Sequence, residues 1–130
     1  MEFNQYNTTV QQWIHTVLEN RETNADVVLE CCRDIIAYGR ETDDPKLMGF
    51  GFFYGGEIYY ELNDGAHFFH MMTEALTYLD RAEEWELVVR CYNFLGIASM
   101  SRGNPSLALD YYMNGLKDLS LIHISEPTRP

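Results

Sequence analysis

Apolar residues recur at intervals of three and four along most of this chain, and polar turn residues interrupt the pattern at regular distances. Val10, Trp13, Ile14, Val17 and Leu18 paint one stripe and predict a helix over about residues 8–20. Asn24, a good N-cap, opens a second helix that runs through Val28, Cys31, Cys32, Ile35 and Ile36 and is expected to stop near Gly39. After a polar turn over 40–44, Asp44-Pro45 sets a capping residue before a proline at the first helical position, which predicts a third helix to about Leu62. Asn63-Asp64-Gly65 is a turn signal. Phe68, Phe69, Met71, Met72, Ala75, Leu76 and Leu79 then give a fourth helix ending near Arg81. A fifth, over about 83–101, places Glu83, Glu84 and Glu86 in its first turn, where the helix dipole favours acids, and turns Val88, Val89, Tyr92, Leu95, Gly96 and Ser99 inward. Asn104-Pro105 repeats the cap-plus-proline device and starts a sixth, with Leu107, Ala108, Tyr111, Tyr112, Gly115 and Leu116 on one stripe.

The third helix is the least regular. Gly49, Gly51, Gly55 and Gly56 alternate with Phe50, Phe52, Phe53 and Tyr54. A phosphate-cradling loop would need Gly-Lys-Ser/Thr opening a helix after a strand, and neither is present. The glycines read instead as points of close helix packing, at about 1 kcal/mol each in lost helix propensity. A short β-hairpin through Phe50 to Tyr54 is the alternative, because aromatics favour strands.

Six helices joined by short turns make three antiparallel hairpins, an all-α architecture. Tyr92, Leu95 and Gly96, the turn at Gly103-Asn104, then Ala108, Tyr112 and Gly115 set large and small residues at the spacing of a close helix crossing. This pattern resembles one tetratricopeptide repeat. The resemblance implies a right-handed TPR-like solenoid over residues 1–118, and a protein or peptide as partner, self-association included. Gly56, Tyr59 and Ala75 give the middle hairpin a degenerate match, with Gly96 lying 40 positions after Gly56. The stretch from Gly56-Glu57-Ile58-Tyr59-Tyr60 to Asn93-Phe94-Leu95-Gly96-Ile97-Ala98, with Asp110-Tyr111-Tyr112 after it, is also similar to the N-terminal region of some clostridial diguanylate cyclases. That likeness implies a sensory or dimerising module ahead of a catalytic GGDEF domain; the GGDEF motif itself is not in this sequence. A stand-alone peptide-binding regulator of the quorum-sensing or transcription-control kind is the alternative.

In such a stack the first helix of each hairpin is expected to line a concave groove, which places Phe53, Glu57 and Tyr60 on the third helix and Arg90, Asn93, Ile97 and Met100 on the fifth at the partner. Asn93 can pair with a main-chain amide, Arg90 with a carboxylate, and the apolar residues supply contact area. Ordinary packing is the competing role for Phe53 and Tyr60. The several lysines and asparagines of the carboxylate-clamp type are not reproduced.

Charge and composition narrow the partner. Aromatics at 14% argue against disorder, and a net charge of −11 argues against nucleic acid or an anionic membrane surface. No segment approaches the roughly 18 apolar residues of a membrane span, and no basic region leads into an apolar stretch, so a cytoplasmic location is expected. Cys31, Cys32 and Cys91 are odd in number with two adjacent, which suits buried structural thiols in a reducing compartment better than a disulfide framework; a vicinal redox pair is the alternative role for Cys31 and Cys32. His67, His70 and Glu74 share a helix face but fall short of a zinc ligand set. No catalytic constellation stands out, so neither an enzyme nor a cofactor is expected.

From Leu119 the chain reads Leu-Ser-Leu-Ile-His-Ile-Ser-Glu-Pro-Thr-Arg-Pro, which resembles a transposase-type sequencing adapter translated in one frame. Residues 119–130 are therefore expected to be a non-native, disordered tail, His123 with them, following the truncated N-terminal part of a longer protein. A natural disordered terminus is the alternative. Without a capping repeat, the apolar end of the sixth helix is expected to be exposed.

Overall fold

A computed structural model describes residues 1–125, and every regular element among them is a helix. In chain order these are α1 (Thr8–Asn20), α2 (Ala25–Glu41), α3 (Pro45–Glu61), α4 (Gly65–Arg81), α5 (Trp85–Ser101) and α6 (Pro105–Ser125). Helices α2 to α5 are each 17 residues long, so helices begin at 25, 45, 65, 85 and 105.

This 20-residue beat comes from one linker repeated four times. At 42–44, 62–64, 82–84 and 102–104 the chain leaves a helix through a left-handed residue: Asp43, Asn63, Glu83 and Gly103, with φ of 50°, 58°, 58° and 75°. The amide that follows each of them donates back five residues: Asp44 to the Gly39 carbonyl, Asp64 to Tyr59, Glu84 to Leu79 and Asn104 to Ser99. The left-handed residue donates back three, so each linker is a Schellman motif that satisfies carbonyls left open at the helix end. The next residue is already an N-cap. Asp44, Asp64 and Asn104 accept from the amides of Leu47, His67 and Leu107 through their side chains, as Asn7 and Asn24 do for α1 and α2. Glu84 is the exception and makes no side-chain cap bond.

Consecutive helices pack on one another: α1 on α2, α2 on α3, α3 on α4, α4 on α5 and α5 on α6. Helix α3 sits at the middle and is buried all round from Leu47 to Ile58. Its glycines make this possible. A Cβ on Gly51 would lie 2.6 Å from Cγ1 of Ile36 on α2, and one on Gly49 would lie 2.7 Å from Cγ of Leu79 on α4. The segment Phe50 to Tyr54 is therefore helical, not a β-hairpin, because neighbouring helices on opposite sides use the space that side chains would occupy.

The hairpin pattern that carries the repeat resemblance is a set of contacts. A Cβ on Gly96 would meet the Tyr112 ring at 2.5 Å, and one on Gly115 the Cβ of Tyr92 at 3.4 Å; Ala108 and Leu95 are buried at the same crossing. One hairpin earlier, a Cβ on Gly56 would meet Met72, and Ala75 is fully buried.

Four boundaries or stripes differ from expectation. Helix α2 continues past Gly39 to Glu41, because Gly39 serves a close approach by Met48 and Asp43 makes the turn. Helix α5 starts at Trp85; Glu83 is the left-handed residue and Glu84 the cap, leaving only Glu86 in the first turn. Cys31 is half-buried while Cys32 is in the core. Leu107 and Leu116, expected on the inner stripe of α6, are 38% and 62% exposed, since no seventh helix covers them among the described residues. Helix α6 also runs through Leu119 to Ser125, beyond the point where disorder is expected. Pro127 and Pro130 lie outside the described residues. No helix among the described residues is long and apolar enough to cross a membrane.

Candidate functional site

Two features stand out against this frame: a charged seam across three elements, and an apolar face left open at the α5/α6 end.

The seam centres on Glu57, 8% exposed on the last turns of α3. Arg21, the residue that ends α1, grips its carboxylate in a fork: Nε donates to Oε1 at 2.8 Å and Nη2 to Oε2 at 2.6 Å. Arg90 of α5 reaches Oε2 at 3.5 Å. Both guanidinium groups lie over aromatic rings, Arg21 at 5.1 Å from the Tyr54 centroid and Arg90 at 4.8 Å from that of Phe53. One buried carboxylate thus ties the first, third and fifth helices together. Beside it is a hollow of about 540 Å³ lined by Arg21, Asn24, Glu57, Ile58 and Glu61 among others.

This geometry reassigns the residues expected on a partner groove. Phe53 is fully buried, with Phe94 of α5 edge-on at 5.9 Å, and Tyr60 meets the same Phe94 ring at 5.3 Å. Glu57 is engaged by the two arginines. Phe53 and Tyr60 therefore face the next hairpin and Glu57 is held between Arg21 and Arg90, which leaves a partner little of their surface. Arg90 is committed to Glu57 and Phe53, with its side chain 40% exposed. Only Asn93, Ile97 and Met100 are open, Ile97 at 44% and Met100 at 53%.

Position by position, 40 residues on, Asn93 stands where Phe53 does, Ile97 where Glu57 does and Met100 where Tyr60 does. Leu109, Met113 and Leu116 of α6 stand where Phe69, Thr73 and Leu76 do on α4. The open face of the last hairpin thus corresponds in part to the face that α5 meets on the middle hairpin, where Phe53 and Tyr60 touch Phe94; Thr73, the counterpart of Met113, is exposed there too. The open face exposes Ile97, Met100, Leu109, Met113 and Leu116 by 44% to 62%. Leu109 and Met113 escape a search for inward stripes, yet their i, i+4, i+7 spacing with Leu116 was legible. Arg21 carries no such signal, because its partner is 36 residues away and it sits in a polar turn.

The remaining candidates show no convergent chemistry. His67 Nδ1 lies 2.8 Å from Asp64 Oδ2 and its ring stacks on Tyr59, while His70 is edge-on to Phe52. Hydrogen bonds from the His67 amide and ring hold the Asp64 carboxyl below its usual range. No three potential metal ligands cluster among the described residues. Burial pushes the Cys32 and Cys91 thiols well above their ordinary value, and Cys31 upward too, which disfavours the reactive thiolate.

No protein-family model matches the chain, no curated protein matches it, and no solved structure matches it.

Proposed function

We propose that this chain is a non-catalytic helical-repeat module that binds other protein through the open face of its α5/α6 hairpin. The observation that carries the reading is the correspondence between hairpins: Ile97 and Met100 are exposed, whereas their counterparts Glu57 and Tyr60 are buried and half-buried, with Arg90 and Phe94 of α5 against them. A surface built to be covered by helix, and ringed by an acidic protein of net charge −11, suits an amphipathic helix with apolar anchors. The finer reading is a TPR-like right-handed solenoid from a bacterial signalling protein. It rests on the Tyr92 to Gly115 pattern and on the likeness of the Gly56 to Tyr112 stretch to regions that precede a GGDEF domain.

Selection of a displayed library of amphipathic helices against the whole chain tests this. Binders are expected to slow amide exchange along α5 and α6 and to be lost on Leu116→Glu. Binders that protect α1 and α2 instead, or a library that yields none, would overturn it.

A further inference from the structure

The open face has a complement on the molecule itself. Helix α6 is apolar on its outer side as well as on the side packed against α5: Leu109, Met113 and Leu116 form a stripe at i, i+4 and i+7, exposed by 60%, 55% and 62%. The opposite end of the array offers no match. Helix α1 packs on α2, and its outward positions include Gln11, Gln12, His15 and Glu19, the last two paired at 2.9 Å, with Leu18 the large apolar residue among them. Copies cannot stack end to end without burying that polar face against leucines and methionines, which costs more than it returns. Two open faces brought together by a two-fold axis bury apolar surface on both sides.

Charge fixes the direction. Asp110 flanks the stripe near one end and Lys117 near the other, both exposed. Two α6 helices running antiparallel about Met113 and Asn114 bring Asp110 of each chain to Lys117 of its partner, twice by symmetry. A parallel pairing would oppose like charges. We propose that the chain forms a two-fold dimer in which the α6 helices pair antiparallel across the α5/α6 faces, with the second copy as occupant. This rests on the reading of that face as a docking surface. The apolar stripe and the charged pair that fix this register precede Leu119.

Sedimentation equilibrium of the whole chain over a concentration series is the test, with circular dichroism as the control for folding. A reversible dimer is expected, weakened at least ~10-fold by Met113→Glu. Asp110→Lys and Lys117→Glu should each weaken it, and the two together should restore it, because the swap re-forms both pairs. The swap keeps the test decisive even if Met113→Glu unfolds the chain. A monomer at every concentration overturns the dimer, as does a dimer that ignores the α6 changes but responds to Gln11→Glu on α1. A monomer that still takes helical peptides on α5/α6 would sink the dimer and leave the docking reading standing; failure of both would remove both.

Discussion

Helices α3 and α5 are the same length, begin 40 residues apart and end in the same left-handed linker, yet one is buried without a break from Leu47 to Ile58 and the other only along one stripe, at Leu87, Val88, Cys91, Leu95, Gly96 and Ser99. The difference lies in what each must touch. Helix α3 lies between α2 and α4, and its glycines let them close in: Gly49 against Leu79, Gly51 against Ile36, and Gly55 and Gly56 against the ends of Met71 and Met72. Helix α5 has Val89, Cys91 and Leu95 where α3 has Gly49, Gly51 and Gly55, and keeps only Gly96, the counterpart of Gly56, against Tyr112. Glycine in these helices therefore marks close neighbours, at a cost of about 1 kcal/mol each that close packing offsets.

The sharpest way to break the comparison is to truncate the same position on both helices. Phe53→Ala should cost about 3–5 kcal/mol in chemical denaturation, because it empties a fully buried site between Phe94 and Tyr54. Asn93→Ala, at the matching place on α5, should stay within about 0.5 kcal/mol. Equal losses would mean that Asn93 is also covered, and the open face would be lost with it.

Next in size is the seam that joins the helices. Arg21→Ala leaves Glu57 with only the longer Arg90 contact, and about 3 kcal/mol of stability should go. Arg90→Ala should cost less than about 1 kcal/mol in charge pairing, since that side chain is 40% exposed and the fork from Arg21 remains. A larger effect from Arg90, read by thermal melts of both variants, would invert the seam as described.

How far the sequence reveals this molecule follows from the range of each interaction. The helices were legible because caps and prolines act within one turn: Asp44-Pro45 and Asn104-Pro105 begin α3 and α6 where expected. The crossing of Gly96 with Tyr112 was legible through its spacing. What stayed hidden depends on third partners. Gly39 reads as a helix stop until Met48 is seen against it, and Phe53 reads equally as a groove residue or a packing one until Phe94 is placed over it. The 20-residue beat was hidden because Asp43, Asn63, Glu83 and Gly103 share a backbone conformation and no common side chain.

Position 51 against position 91 gives a smaller, pH-dependent contrast. Cys91 fills on α5 the place that Gly51 leaves empty, and burial raises its thiol far above the ordinary value, as it does for Cys32. A raised folded value means that the unfolded chain releases the proton first. The stabilising contribution is complete below about pH 8.5 and declines as pH rises beyond it. Melting temperature should therefore fall above that pH, and Cys91→Ala, whatever it costs at neutral pH, should flatten the fall. An unchanged slope would place the alkaline loss elsewhere, Tyr6 being the first suspect, since burial and the hydrogen bond to Asp44 raise its hydroxyl as well.

The smallest expected effect concerns how the two helices begin. Asp44 accepts the Leu47 amide at 3.1 Å and so caps α3, whereas Glu84, one methylene longer, caps nothing on α5 although its backbone takes part in the same linker. Glu84→Asp keeps the charge at the positive end of the helix and shortens the side chain to the length that works at Asp44 and Asp64. It should raise stability by about 0.5–1 kcal/mol, because one open amide of the first turn gains an acceptor at no loss of burial. If the variant melts no higher, the Glu84 carboxylate has a partner that outweighs a cap, and α5 differs from α3 by design at its first turn as well as along its face.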